Sequence, residues 1–375
     1  MKQIINLPGP SCKLIDSPIP AINDDQVLIR VVVSGSNPKD WKMPELVSSD
    51  DSMFGERYAH LKDGVNQGDD IAGVVEKVGR NVYEFKPGDR VGAFHEMMEP
   101  GGSYAEYAVA WAHTTFHLPE KVSFEEAATI PLAALTAVVS LYHHHRLPLP
   151  WTPPPPPTAA DAPSSKQHRI PLLIYGGSTA VGAFAIKLAR ASNIHPIIAV
   201  AGAGAGYISR FLDASKGDAI VDYREGATAT IQGVKDALAR RPAAAAAAAA
   251  ADPPLMHVLD TIVTETSSEV IRNVIHPGGQ VNYVLPCPYD ISPGVKTNTW
   301  VSSAHQIGGD EDARDLCFVF CRWFGRALAT GAFEGHPFQV REKGLLGVEG
   351  AMRDLKDNKA SAVKYVFRVG ETPGL

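Results

Sequence analysis

The segment LLIYGGSTAVGAFAIKLARA, residues 172–191, determines the fold. Its apolar start, residues 172–175, stops at the paired glycines Gly176 and Gly177. A third glycine, Gly182, follows after four residues, and residues 183–191 have helical spacing with few helix breakers. The pattern predicts a strand, a tight turn and a helix. Such a turn presents free N–H groups and the positive end of the helix dipole to an anion, and glycines let the backbone approach that anion closely.

The surroundings of the turn predict a dinucleotide-binding unit of the Rossmann type. A second apolar run, residues 196–200, lies at the spacing of a strand–helix–strand unit. Aligned on Gly177, the turn reads G-x-T-x-x-G, with Thr179 where the dinucleotide pattern has its second glycine. A strand-to-helix turn without a ligand is the alternative. The residues predicted to bind the cofactor here are Gly177, Ser178, Thr179, Ala180, Val181 and Gly182.

Length and composition limit the classes of protein to consider. A chain of 375 residues predicts two domains. The net charge of −6, with no basic tract, argues against nucleic acid as a partner. The N-terminus lacks a secretory apolar core, and we find no apolar run near the roughly 20 residues of a membrane span. We therefore predict a soluble, cytoplasmic protein that is not bound to a membrane.

The four cysteines predict neither disulfides nor a metal site. Cys317 and Cys321 lie four residues apart in an apolar segment, which predicts two thiols on one face of a buried helix. A metal or redox pair is the alternative for these two residues. The low count and the predicted compartment exclude a disulfide framework.

The hydrophobic period changes along the chain. Short strands separated by Gly/Pro turns predict a compact β-barrel-like domain, at residues 26–33, 71–79, 86–94 and 102–109. From Phe124 onward, helical segments at 124–128 and 133–142 precede alternating strands and helices, with strands at 258–260 and 280–285. This alternation predicts a parallel α/β sheet that contains the glycine-rich turn.

Two segments have the composition of insertions. Residues 147–171 contain five consecutive prolines, which predicts an exposed spacer; docking to an SH3-type domain is the alternative. The second insertion, near residues 240–254, is an alanine tract that extends or follows a surface helix. The three histidines at 143–145 point in different directions on a helix, so we interpret them as its solvated end rather than a metal site.

With these parts in order, the chain resembles the medium-chain dehydrogenase/reductase superfamily. The motifs that carry the resemblance are residues 37–42 (NPKDWK), 68–75 (GDDIAGVV), 87–91 (PGDRV), 101–107 (GGSYAEY), 135–137 (LTA), 175–182 (YGGSTAVG) and 222–224 (DYR). The resemblance implies an α/β fold of two domains. A GroES-like β-barrel domain comprises residues 1–130 and 305–375, and a Rossmann domain with a doubly wound parallel sheet comprises residues 131–304.

The residues at the zinc positions of this superfamily predict a zinc-free member. Zinc alcohol dehydrogenases bind their catalytic metal through a Cys, the His of a Gly-His-Glu motif and a second Cys. Here the first position falls within residues 33–37, which contain no thiol, and the histidine position is Asp69. No Cys lies between Cys12 and Cys287. Because tetrahedral zinc needs nitrogen and sulfur ligands, we expect no metal. The chain is most similar to the quinone oxidoreductases and the trans-acting enoyl reductases of polyketide pathways.

The end of the second Rossmann strand predicts NADPH as the cofactor. An NAD site places an acidic residue there, whereas residues 201–207 contain none. In similar quinone reductases a tyrosine of an Asn/Asp-Tyr-Arg motif contacts the 2′-phosphate, and Tyr223 matches it. The nearby lysine of those relatives is not evident, and Ser209 or Arg210 takes its place in this interpretation. Asp260 and Thr264 fall on the loop after a late Rossmann strand, also near the cofactor.

The resemblance implies hydride transfer from NADPH to a quinone or to an activated C=C bond. The cofactor supplies this chemistry, and the protein orients the reactants. In the family, Asn37 and Lys42 lie on the loop that lines the cleft, and Thr136 lies beside the nicotinamide. We predict that Asn37 and Lys42 contact the substrate or nicotinamide, as donors to a carbonyl that gains negative charge. The alternatives are an Asx-type turn for Asn37 and a solvated surface lysine for Lys42.

Other functions remain open at this point. One is a trans-acting enoyl reductase for a polyketide bound to an acyl carrier protein, and another is a nucleotide-binding protein without turnover. Lys187 stands where quinone reductases usually have Gln, which favours a diverse branch active in secondary metabolism. Family members are often homodimers through the edge of the Rossmann sheet. Tyr58 and Tyr104 are further candidate proton donors that the sequence does not place.

Overall fold

The computed structural model describes residues 1–49, 56–152, 169–240, 253–305 and 311–375, and for residues 56–59 it describes the backbone alone. The five prolines at 153–157, the alanine tract at 243–251 and the side chain of Tyr58 lie outside this description. The chain divides into two compact units. The first comprises Met1–Leu135 and Ser302–Leu375, and the second comprises Thr136–Val301.

The strands and helices follow the predicted order of a β-rich part and an alternating α/β part. The strands are β1 (Lys2–Leu7), β2 (Ser11–Asp16), β3 (Gln26–Gly35), β4 (Asp70–Val78), β5 (Arg90–Phe94), β6 (Tyr107–Trp111), β7 (Thr115–His117), β8 (Leu172–Tyr175), β9 (Ile197–Ala201), β10 (Ala219–Asp222), β11 (His257–Asp260), β12 (Gln280–Tyr283), β13 (Val295–Asn298), β14 (Phe338–Val340) and β15 (Lys364–Arg368). The α-helices are α1 (Lys39–Ser49), α2 (Phe124–Ala127), α3 (Pro131–Val138), α4 (Ala180–Ala191), α5 (Ala205–Ile208), α6 (Ala227–Ala239), α7 (Glu265–Arg272), α8 (Glu311–Thr330) and α9 (Val348–Lys356). A π-helix, Val139–His144, continues α3. Short 3₁₀ helices lie at Glu56–Asp63, Ala112–Thr114, Ser209–Phe211, Ala214–Lys216, Tyr223–Glu225, Val301–Ala304, Gly344–Gly347 and Val369–Glu371.

The first unit contains a mostly antiparallel sheet. Among the described residues its order is β14-β15-β3-β4-β5-β7, with β6 also paired to β3, and β1 and β2 form a separate hairpin. The central strand β3 has the sequence QVLIRVVVSG and is buried along most of its length. It pairs with β15, β4 and β6. The C-terminal strand β15 lies between β14 and β3, so the last part of the chain completes this sheet.

The second unit contains a parallel sheet with the order β10-β9-β8-β11-β12-β13 over the described residues. Every residue of β8 and β9 is buried, as expected of strands in a parallel sheet covered on both faces. The strand order reverses between β8 and β11, which are direct neighbours. The loops after these two strands therefore start at the same edge, at the switch point where doubly wound sheets bind their ligands.

One helical segment differs from its sequence-based interpretation. His145 is 4% exposed rather than solvated. Its Nε2 lies 3.0 Å from the Val258 carbonyl oxygen and its Nδ1 lies 3.1 Å from Gln280 Oε1. Burial lowers the pKa of His145 to about 3, which keeps the ring neutral. The prediction failed because His145 packs against the parallel sheet and hydrogen-bonds with β11 and β12, while the next residue, Arg146, has a left-handed backbone conformation.

The same segment is the longest apolar helical stretch in the described chain. Phe124–His144 has 21 residues and a mean hydropathy of 1.4 over its most apolar window. By length and composition alone it could cross a membrane, whereas we expected no such segment from the sequence. Within the protein, 83% of that window is buried. A core helix of a folded domain has the same properties.

The prediction for the cysteine pair is confirmed. Cys317 and Cys321 lie on α8, and both are buried with free thiols. Burial raises the pKa of Cys321 to about 12, so this thiol stays protonated. In the part of the chain that the structure describes, no group of three or more His, Cys, Asp or Glu side chains is arranged to hold a metal ion.

Candidate functional site

The turn after β8 is shaped by two of its glycines. Gly176 has φ of +86°, and a Cβ there would lie 2.2 Å from Thr261 Oγ1. A Cβ on Gly182 would lie 2.2 Å from the carbonyl oxygen of Gly176. Any side chain at either position would force the turn away from α4 or from the loop after β11. The glycines therefore keep the backbone of the turn close to the helix N-terminus.

Thr179 explains why the turn departs from the dinucleotide pattern. It is the N-cap of α4, and its hydroxyl accepts a hydrogen bond of 3.0 Å from the Gly182 N–H. The same hydroxyl lies 2.9 Å from the Gly176 carbonyl oxygen and 3.0 Å from Thr261 Oγ1. Because the first N–H groups of a helix have no intrahelical acceptor, those of Ala180 and Val181 are left to bind an anion. Binding of a dinucleotide pyrophosphate at this turn stays a prediction.

Asp260 and Thr264 organise the neighbouring loop after β11. One carboxylate oxygen of Asp260 accepts the N–H groups of Ile262 and Val263, and the other accepts the Ser267 hydroxyl at 2.6 Å. Burial raises the pKa of Asp260, and these hydrogen bonds oppose the rise. Thr264 forms a capping box with Ser267 at the start of α7. The structure brings this loop to the glycine-rich turn; direct contact of Asp260 and Thr264 with a cofactor stays a prediction.

Tyr223 directly follows β10, the neighbour of β9, and its ring lies beside the residue after β9. The ribose of a dinucleotide is bound at the end of the second strand in this type of sheet. A Cβ on Gly202 would lie 2.8 Å from the Tyr223 ring, so the ring covers the first residue after the strand. Asp222 holds the turn around Tyr223 by an ion pair with Arg224, and Tyr223 itself is 48% exposed. No carboxylate occurs between β9 and α5.

Ser209 and Arg210 lie on the surface that follows α5. The Ser209 hydroxyl donates to the Gly206 carbonyl at 3.0 Å. The Arg210 guanidinium lies over the rings of Phe211, at 4.7 Å, and Tyr207, at 5.5 Å. The buried Lys187 ammonium lies over the same two rings and over Phe184 at 4.7 Å. This aromatic cluster accounts for a lysine at the position where glutamine was expected.

Asn37 is held in the first unit by two buried carboxylates. Its backbone N–H donates to Asp40 Oδ2 at 2.7 Å, and its side-chain amide donates to Asp70 Oδ2, also at 2.7 Å. The buried Lys364 ammonium pairs with Asp70 and donates to Asn37 Oδ1 at 3.1 Å. Asn37 is 4% exposed. It is therefore much more than a turn residue, because its side chain belongs to a charged network.

Lys42 lies on the first turn of α1, five residues after Asn37. Its side chain is half-buried, and its ammonium lies 5.6 Å from the centre of the Trp41 ring. Burial lowers the pKa of Lys42. Among the residues that the structure describes, no carboxylate or carbonyl group accepts a hydrogen bond from this ammonium. Its three N–H donors can therefore serve a bound molecule.

The sequence did not reveal a second buried network around Lys39. The Lys39 ammonium lies 2.6 Å from Asp69 Oδ2 and 3.4 Å from Asp40 Oδ1. It also donates to the backbone oxygen of Gln67, at 2.6 Å, and to its side-chain oxygen at 3.0 Å. Burial lowers the pKa of Lys39, but Asp69 and Asp40 outweigh this effect and the net pKa is raised. The adjacent acidic residues Asp69 and Asp70, which stand at the start of an apolar strand, were the feature of the sequence that could have indicated this buried network.

Tyr104 closes this network and is not exposed to substrate. It is fully buried, and its hydroxyl donates to Asp40 Oδ2 at 2.5 Å. Burial and the neighbouring carboxylates raise the pKa of Tyr104 well above its usual value. Thr136, predicted beside the nicotinamide, is the first residue of the second unit and is buried on α3.

Comparison with known proteins agrees with this architecture. The sequence profile of the alcohol dehydrogenase GroES-like domain matches residues 23–120. The trans-enoyl reductase fsr4 of Gibberella fujikuroi is 40% identical over 344 residues, which cover 91% of this chain and 90% of that protein. The chain belongs to the zinc-free branch of the medium-chain dehydrogenase/reductase superfamily.

Further relatives of this medium-chain oxidoreductase have the same organisation. The trans-enoyl reductase resD of Aspergillus sclerotiorum is 30% identical over 393 aligned positions, which cover 98% of this chain and all of that protein. The crystal structure of the quinone oxidoreductase from Coxiella burnetii has a TM-score of 0.67 and 20% identity, and it covers 98% of this chain and 99% of that one. The predicted fold class, a GroES-like domain with a Rossmann-type parallel sheet, is thereby confirmed.

Proposed function

We propose that this oxidoreductase reduces the C=C bond of an α,β-unsaturated thioester with NADPH, and that the thioester is presented by an acyl carrier protein. The observation that carries this choice is the 40% identity with a trans-enoyl reductase over nine-tenths of both chains. Of the acceptors predicted from the sequence, this favours the activated C=C bond over the quinone.

The residues that favour NADPH as the cofactor all lie in the second unit. NADPH, when bound, supplies the hydride. The turn at Gly176–Gly182 and the N-terminus of α4 would hold its pyrophosphate. Tyr223, Ser209 and Arg210 are the groups that would bind a 2′-phosphate, because two hydroxyls and an exposed guanidinium can donate to its oxygens. Of these groups, the Tyr223 ring lies beside Gly202, the first residue after β9. The lack of a carboxylate after β9 favours NADPH over NADH, because an acidic residue there would repel the phosphate.

The first unit supplies the groups that act on the acceptor. When a hydride adds to the β-carbon of an enoyl thioester, the electron pair of the C=C bond moves toward the carbonyl and negative charge develops on its oxygen. A donor at that oxygen stabilises the transition state more than the ground state. Lys42 is the donor in this proposal, and Asn37 is the neighbouring polar contact. A proton added to the α-carbon completes the reduction.

Three further properties belong to this proposal. The compartment is the cytosol, as for an enzyme that meets a carrier protein there. The oligomer is a homodimer formed through β13, one of the two edge strands of the described parallel sheet. No metal takes part, because Asp69 pairs with Lys39 at the position where zinc relatives have histidine.

The test is NADPH oxidation by the purified protein with two acceptors in parallel. The acceptors are the crotonyl thioester of N-acetylcysteamine and benzoquinone, and each reaction is repeated with NADH. We expect turnover of the thioester to the saturated product, identified by mass spectrometry, with NADPH preferred. Faster turnover of benzoquinone would contradict the proposal that an enoyl thioester is the substrate. Tight NADPH binding without turnover of either acceptor would instead indicate a nucleotide-binding protein.

A further inference from the structure

Lys39 is a largely buried cation of the candidate site. Its side chain is 12% exposed, and those of Asp69 and Asp40 are fully buried. The ammonium has four oxygen neighbours, from Asp69, Asp40 and both oxygens of Gln67. Since an ammonium has three N–H donors, none remains for a bound molecule. Lys39 therefore cannot act on a substrate directly, unlike Lys42.

The two carboxylates next to Lys39 have different tasks. Asp69 lies between the Lys39 ammonium and the His95 ring, whose Nδ1 is 3.1 Å from Asp69 Oδ1. Asp40 accepts the Asn37 backbone N–H and the Tyr104 hydroxyl on one oxygen, and its other oxygen faces Lys39. An ionised Asp40 accepts both hydrogen bonds strongly, whereas a protonated one accepts them weakly. The charge on Asp40 thus determines how firmly the backbone of Asn37 is held.

We infer that Lys39 is a positioning residue: a fixed internal cation that favours the ionised form of Asp40 and thereby holds Asn37 in place for the acceptor. The inference rests on the proposed function for the role of Asn37. The side chain of Asn37 is anchored separately by Asp70 and Lys364, so Lys39 acts on its backbone.

The charges around Asp40 support this role. Burial and, less strongly, Asp69 raise the pKa of Asp40 to about 7, against the opposing effects of Lys39 and of the Tyr104 hydrogen bond. Lys39 is the strongest of the groups that favour the ionised form. Removing its charge disfavours the carboxylate, so the Asp40 pKa rises and the ionised form exists only at higher pH.

The test uses Lys39→Met, which keeps the length of the side chain and removes its charge. Two quantities are followed against pH: kcat/KM for the enoyl thioester, and the NMR resonance of the Asn37 backbone amide in the absence of substrate. In the wild type both change with a midpoint near the Asp40 pKa of about 7. In Lys39→Met we expect both midpoints to move up by about one pH unit, which lowers kcat/KM about tenfold on the acidic side.

A second variant separates positioning from simple loss of structure. Lys39→Met/Asp69→Asn leaves no unpaired charge at Asp69, and so regains stability. Because Lys39 affects Asp40 more strongly than Asp69 does, its midpoints should still lie above those of the wild type. Lys2→Met, which removes an exposed ion pair with Asp16 in the same unit, is the control and should leave both midpoints unchanged.

Wild-type midpoints in both Lys39 variants would overturn the inference, as would a double variant that regains the wild-type midpoints in full. The amide titration needs no turnover. If the wild type is inactive but the amide midpoint of Asn37 moves in Lys39→Met, the proposed function is contradicted and the effect of Lys39 on Asn37 is supported. If the wild type reduces the thioester but the midpoints do not move, the proposed function stands and the inference about Lys39 is wrong.

Discussion

Two lysines three residues apart on α1 have opposite environments, and the roles that we propose for them rest on this difference. Lys39 is surrounded by oxygen acceptors, whereas Lys42 faces only the Trp41 ring among the described residues. A cation without acceptors in a half-buried position costs desolvation energy, which lowers its pKa. Such a group is suited to stabilise developing negative charge, because a bound oxyanion is its first strong partner.

Replacing Lys42 by methionine should lower kcat/KM for the enoyl thioester by about 100- to 1,000-fold, the usual effect of losing one such donor. The wild-type activity should also fall on the alkaline side at lower pH than for an ordinary lysine, because deprotonation removes the donor charge. Lys356→Met is the matched control, since the Lys356 ammonium lies 5.3 Å from the same Trp41 ring but pairs with Glu45. Equal activities of the two variants would remove Lys42 from the mechanism.

At the scale of elements, the turn between β8 and α4 follows the predicted strand–turn–helix pattern and departs from the dinucleotide pattern at Thr179. The spacing of Gly176, Gly177 and Gly182 predicted a strand, a turn and a helix, and β8 and α4 confirm it. Threonine replaces the central glycine of the pattern because the N-cap position needs a side-chain acceptor for the Gly182 N–H. A second contact of the same hydroxyl, with Thr261, joins the turn to the loop after β11.

The variant Gly182→Ala tests this junction. Its Cβ would lie 2.2 Å from the Gly176 carbonyl oxygen, and since backbone borders it on that side, the turn itself must move. We expect NADPH to bind at least about tenfold more weakly, because the N–H groups of the first helical turn would be displaced from the pyrophosphate. Fluorescence titration with NADPH measures this.

Gly350→Ala on α9, in the first unit, is the control, because its added Cβ would meet only the Arg341 side chain, at an ordinary contact distance of 3.6 Å. It should leave the affinity unchanged and the melting temperature equal or slightly higher. Unchanged NADPH affinity in Gly182→Ala would mean that the turn does not hold the pyrophosphate.

At the scale of the whole molecule, the first unit is built from both ends of the chain. Lys364 at the start of β15 pairs with Asp70 at the start of β4, 294 residues earlier, and both side chains are buried. Breaking such a pair from one side leaves an uncompensated charge in the interior. The C-terminal strand thus contributes charge as well as backbone pairing.

Lys364→Met should therefore destabilise the first unit by about 3–5 kcal/mol. Chemical denaturation followed by circular dichroism would show this as a shifted midpoint. Lys121→Met removes an exposed lysine of the same unit and should have little effect. The double variant Lys364→Met/Asp70→Asn should recover part of the loss, and failure to do so would show that packing rather than charge determines the effect.

The sequence by itself determined the local strands and helices, and it showed that the ligands of a catalytic zinc are missing. A hydrophobic period of two or of 3.6 residues is a property of neighbouring positions, so β3, β8, α4 and the buried face of α8 were predictable. The missing thiols at the zinc positions were equally visible, because a ligand set needs its residue types.

Only the tertiary structure decided the charged interior. Lys39, Asp69, Lys364 and Tyr104 lie far apart in the sequence, and no periodicity distinguishes a buried lysine from an exposed one. Their environments depend on which strands pair and on where β15 enters the sheet; that of His145 depends on its contacts with β11 and β12. Burial and opposite charge together determine which lysine is structural and which is available, and both arise only when distant segments come together.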